Sequence, residues 1–120
     1  MPLSDEELVF QYFKLVENKD VEGLLNLFDY DPVVIEPFSK SRELRGKASI
    51  EPFLKVAVMA NSGMTRKITI EKSGNVRNAA DRLVALVTFE KGDRTRGRFT
   101  FVFVNSDGAR KIKSLRIDFL

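Results

Sequence analysis

The chain contains no His and no Cys, which excludes imidazole bases, thiol nucleophiles, disulfides and the usual zinc sites. Acid–base chemistry must therefore fall to Asp, Glu, Tyr or Lys. Glu36 closes the β-branched run Val33-Val34-Ile35 and is followed by Pro37 and Phe38. Apolar neighbours strip water from a carboxylate, disfavour its charged form and make it a better base near neutrality. Tyr12 lies in an apolar stripe with Leu8, Val9, Phe13 and Val16. Its hydroxyl could donate to an oxygen on which negative charge develops. A base on one side and a donor at the oxygen are the minimum for removing a proton next to a carbonyl. Both residues also have plainer readings. Glu36 can be a solvated strand-end carboxylate paired with Arg42 or Arg45, and Tyr12 a core ring whose hydroxyl finds one buried partner.

The elements that must position these residues are legible in the spacing of the apolar side chains. Ser4 followed by Glu7 has the form of a capping box, and the stripe from Leu8 to Val16 predicts a helix over about 5–18. Asp20 is a good N-cap for a shorter second helix carrying Leu24, Leu25, Leu27 and Phe28, which should stop by Asp29-Tyr30-Asp31-Pro32. Val33 to Ile35 predicts a short strand. After a polar loop, Leu44-Arg45-Gly46 leads into a third helix with Ile50, Phe53, Leu54 and Ala57. Pro52 removes an amide donor there and predicts a kink or a late start.

From residue 65 the apolar period changes to two. Strands are expected near 65–72, 82–90, 95–105 and 110–119, separated by Ser73-Gly74-Asn75, Lys91-Gly92-Asp93 and Ser106-Asp107-Gly108 turns. Phe99, Phe101 and Phe103 share one face of the third of these. In the last, Ile112 is out of phase with Leu115, Ile117 and Phe119, which predicts a bulge or bend. The expected class is α+β, with three helices covering one face of a strongly bent, mostly antiparallel sheet, in one domain over 1–120.

With 43% hydrophobic and 31% charged residues, the 120-residue chain can build one core, so disorder is not expected. Residues 1–60 carry 7 Lys/Arg against 11 Asp/Glu and residues 61–120 carry 13 against 6, so the formal net charge of +3 conceals an acidic first half and a basic second. Arg94, Arg96 and Arg98 recur at strand spacing. They could grip an anion, but they also suit a solvated sheet edge that resists pairing with other chains. The sequence offers neither a stacking platform nor a recognition helix, which argues against nucleic acid. Asp29, Asp31 and Glu36 lack calcium-site spacing, and no metal or cofactor is expected. No apolar run approaches the roughly 20 residues of a membrane span, and the first residues are acidic, so a soluble cytoplasmic protein is expected.

Several of these segments together resemble the nuclear transport factor 2-like superfamily. They are Val9-Phe10-Gln11-Tyr12-Phe13, Asn18 to Leu25, Leu27-Phe28, Val34-Ile35-Glu36-Pro37, Arg45 to Phe53, and Asp107-Gly108 through Leu115-Arg116-Ile117. The similarity spans nearly the whole chain and is strongest to the SnoaL-like and ketosteroid isomerase-like branch. It implies a cone-shaped barrel, also described as cystatin-like, and homodimers packed sheet to sheet. It also implies that Glu36 stands where the isomerase has its base and Tyr12 where it has its oxyanion donor. Phe99 falls where the isomerase has a second, acidic donor, a departure that removes that donor.

The phenylalanines are expected mostly as core. In a cone some must line the open end, so Phe28, Phe38, Phe53, Met59, Phe89, Phe99, Phe101 and Phe119 are the candidate lining of a pocket for a small hydrophobic or aromatic ligand. The opposite sheet face carries Thr100, Val102, Val104, Val84, Leu86 and Thr88, which is too apolar for solvent and predicts a second copy of the chain against it. Three functions remain open: a proton-transfer isomerase or cyclase, a non-catalytic ligand-binding or dimerisation module, and, least supported, a nucleic-acid binder.

Overall fold

The computed structural model describes residues 4–35, 43–60, 65–71, 82–91, 93–106 and 108–119. Three helices and six strands follow the order α1 (Asp5–Glu17), α2 (Val21–Leu27), β1 (Phe28–Ile35), β2 (Glu43–Arg45), α3 (Lys47–Ala60), β3 (Thr65–Glu71), β4 (Arg82–Lys91), β5 (Asp93–Ser106) and β6 (Ala109–Phe119). The architecture is α+β, as expected.

The capping box at α1 is complete. Ser4 Oγ accepts from the Glu7 amide at 3.2 Å and the Glu7 carboxylate accepts from the Ser4 amide at 3.0 Å. These backbone and side-chain bonds to Ser4 hold the Glu7 carboxyl below its ordinary 4.5. The helix ends in a Schellman motif: Lys19 N–H donates to Val16 O and Asp20 N–H to Leu15 O. Lys19 occupies the left-handed position of that motif, with φ 57°, where glycine is usual. Asp20 then caps α2, accepting from the Gly23 amide at 2.9 Å. A Cβ on Gly23 would lie 2.6 Å from that carboxylate, so a larger residue would have to push the capping side chain aside.

Two boundaries differ from expectation. Phe28 begins β1 instead of ending α2, and the strand runs through Asp29-Tyr30-Asp31-Pro32, whose composition reads as a turn. The reason lies in the partner strand. β1 pairs in parallel with β6, Phe28 opposite Ile112 and Val33 opposite Ser114, so the intervening residues of β1 bulge out while both ends stay in the ladder. Glu43–Arg45, expected as the approach to α3, is a short antiparallel strand on β1. The third helix starts at Lys47 without delay and carries the exposed Pro52 inside it.

The strand order is β2-β1-β6-β5-β4-β3, antiparallel except for β1 with β6. Among the described residues the sheet has edges at β2 and β3 and does not close into a barrel. The out-of-phase Ile112 has the expected cause. Phe103 pairs with Ile112 but Val102 pairs with Ser114, leaving Lys113 as an extra, exposed residue. This bulge lets Ile112, Leu115 and Ile117 all reach the core. None of the helices among the described residues is long and apolar enough to cross a membrane.

Lys19→Gly should stabilise the protein by about 0.5–1 kcal/mol, because it relieves the left-handed strain and gives back only part of that gain as unfolded-state entropy. Urea denaturation checks it. An unchanged or lower midpoint would contradict the strain.

Candidate functional site

The helices lie on the face of the sheet that carries Phe99, Phe101 and Phe103. These rings run parallel along β5, with centroids 6.5 and 6.2 Å apart. The first helix presses two rings onto them. Tyr12 meets Phe101 edge-on at 5.5 Å, and Phe13 meets Phe99 at 5.1 Å. Tyr12 and Phe13 are perpendicular to each other at 5.1 Å. Tyr12 is 2% exposed, and it alone carries a polar side-chain atom among the described residues of the buried core cluster. A hydroxyl in such surroundings is costly unless partnered, and in a low dielectric its dipole acts strongly on any charge nearby.

Five of the expected lining residues are placed with their side chains. Phe28, Phe99 and Phe101 are buried in the core, and Phe53 is partly buried against it. Met59, a candidate lining residue, is instead 75% exposed on α3. The helix turns Ile50, Leu54 and Val58 inward, and Met59 falls one position past that stripe. Phe89 stands opposite Thr95 in the ladder, and Phe119 opposite Gly97. Glu36 and Phe38 lie outside the described residues. The strand that ends just before Glu36 buries Pro32 and Val34.

Phe99 stands at the position where the resemblance leads one to look for a second acid, and its ring packs on Phe13. This position therefore offers no hydrogen-bond donor. Of the three arginines, Arg98 is exposed on the outer face, across the ladder from Asp118, which itself pairs with Arg116 at 3.2 Å.

A clamp at the start of α1 has no local sequence signal. Arg110 donates from Nε and Nη2 to the two carboxylate oxygens of Asp5 at 2.9 and 3.0 Å, and from Nη1 to Asn105 at 3.1 Å. Its guanidinium lies 5.9 Å from the centre of the Phe103 ring. With side chains 19% and 21% exposed, the pair is sheltered and two-pronged. It ties the helix that carries Tyr12 to the β5–β6 hairpin. The partners are 105 residues apart, so only an acid in the first helical turn and an arginine just after the last turn hint at it.

No protein-family model and no curated protein matches this sequence. Solved structures do resemble it. A protein from Sphaerobacter thermophilus has 23% identity and a TM-score of 0.73, covering 98% of this chain and 96% of its own. The epoxide hydrolase/cyclase-like enzyme SalBIII, which has a role in pyran ring formation in the polyether salinomycin, has 19% identity and a TM-score of 0.69, with 96% and 89% covered. An NTF2-like protein of unknown function from Pseudomonas putida has 15% identity and a TM-score of 0.69, with 94% and 82% covered. The chain thus has the nuclear transport factor 2-like fold that its sequence resembled.

Proposed function

We propose that the chain is a SnoaL-like pocket protein for a small hydrophobic or aromatic ligand and that it catalyses proton transfer, as an isomerase or cyclase. The bent sheet and the helices would enclose a cone-shaped pocket. The observation that carries this reading is Tyr12, a hydroxyl-bearing ring set among hydrocarbon at the junction of α1 and β5. Glu36 is the base and Tyr12 the donor. The carboxylate takes a proton from the carbon next to a carbonyl, the electron pair moves onto the oxygen, and the Tyr12 hydroxyl stabilises the resulting enolate. Return of the proton from Glu36 to a different carbon completes an isomerisation without any external reactant.

Phe99 favours a second reading. With a hydrocarbon ring where the resemblance leads one to look for an acid, the chain has one donor fewer, and a binding or dimerisation module that has lost the chemistry would look the same. A panel of β,γ-unsaturated ketones separates the two. The enzyme reading predicts turnover that Glu36→Gln abolishes and the near-isosteric Tyr12→Phe lowers by about 10²–10³. Binding without turnover, unaltered by Glu36→Gln, would establish the module.

A homodimer through the outer sheet face belongs to either reading. Val33, Ile35, Thr88, Thr100, Val102 and Val104 are only partly exposed and form an apolar strip on the side away from the helices. Helices can shield one face alone, so a second copy is the simplest cover. Sedimentation at micromolar concentration should give a dimer that Val102→Glu dissociates, and a wild-type monomer would contradict this.

A further inference from the structure

The bulged half of β1 borders a groove of about 360 Å³ whose other walls come from the end of α2, the start of α3 and the β5–β6 hairpin. It lies at the opposite end of β1 from the segment leading to Glu36, so it does not depend on the catalytic reading. Its volume falls within the range of small-molecule sites. Lys47, Lys111, Asp29 and Ser106 line it, all partly buried, and the Tyr30 ring borders it at 76% exposed.

Both signs of charge line this groove. Lys111 Nζ donates to the Asn26 carbonyl at 2.7 Å, which fixes the ammonium on one wall and leaves its other protons for a ligand. Lys47 is the first residue of the 14-residue α3, where the helix dipole adds positive potential. Among the described residues no ion pair joins Asp29 to either lysine, although all three line the same groove. Both signs of charge thus line one groove, and a molecule with one negative and one positive end would meet both.

The geometry points to a binding site for a small zwitterion, its phosphate or carboxylate between Lys47 and Lys111 and its ammonium toward Asp29. Ser106 supplies a hydroxyl for the anionic end. The bulge of β1 builds this site. Without the residues looped out between Phe28 and Val33, neither Asp29 nor Tyr30 could stand away from the ladder.

Two-dimensional amide NMR on the full chain tests the inference with four probes: phosphoethanolamine, β-alanine, inorganic phosphate and ethanolamine. At least one of the two zwitterions should shift the amides of Tyr30, Lys47 and Ala109 saturably, and which one does so names the anionic group. Lys47→Met should weaken that zwitterion about tenfold, the value of one charge-assisted contact. Asp29→Asn should weaken the zwitterion but leave inorganic phosphate as tight or tighter. Failure of both zwitterions to saturate would overturn the site. So would inorganic phosphate or ethanolamine binding as tightly as the better of the two zwitterions, or affinities that neither substitution moves, since those would mark diffuse attraction to a charged surface.

Discussion

The packing of α1 on β5 is the contact on which the rest of this structure depends. Tyr12 and Phe13 project from one helical face and meet Phe99 and Phe101, which a strand's two-residue period places on one side of the sheet. Burying side chains of this size stabilises by roughly 1.5–3 kcal/mol each, and edge-on ring pairs add about 0.5–1.5 kcal/mol. The other helices are held by the same surface: Leu24, Ile50 and Leu54 are fully buried in one cluster with these rings. The Asp5–Arg110 clamp, by contrast, fixes where α1 begins on the hairpin and adds little apolar burial. Burial supplies the energy and the ion pair the alignment.

Keeping that inner face continuous is a problem of phase. A strand exposes alternate residues to opposite sides, so a single extra residue turns all later side chains outward. The last strand solves this with the extra Lys113, and β1 with a longer excursion between Phe28 and Val33. The first bulge leaves a lysine in solvent. The second opens a concavity lined by Asp29 and Tyr30. An irregularity that serves the core on one side thus shapes a surface on the other, which is how a structural necessity can become a place for a ligand.

What the sequence disclosed followed from local rules. The capping box, the stripe of α1, the Asp20 cap, the alternating phenylalanines and the phase break at Ile112 are each set within a few residues, and each is present in the structure. The early start of β1 was hidden because Asp-Tyr-Asp-Pro has turn chemistry, and only pairing with β6, some eighty residues on, overrides it. The short β2 strand exists through its ladder with β1 and has no hydrophobic run of its own. Lys19 in a glycine-type position defied residue preference because the end of the helix, not the residue, set the backbone, and Met59 in solvent did so because it falls one position past the buried stripe of α3. At the site, Tyr12 could be picked out because it is the polar member of an apolar stripe. Arg110 and the lysines of the groove could not, since their partners come from distant parts of the chain.

The central functional claim is that Tyr12 and Glu36 share one apolar cavity. A carboxyl-carbon NMR titration tests it most directly, with Glu36→Gln assigning the Glu36 signal. Desolvation by an apolar pocket predicts a midpoint well above the ordinary carboxylate range, and Tyr12→Phe should move it further, since a neutral donor close by favours the charged form. A midpoint within the ordinary range, insensitive to Tyr12→Phe, would place Glu36 in solvent away from Tyr12 and contradict the account.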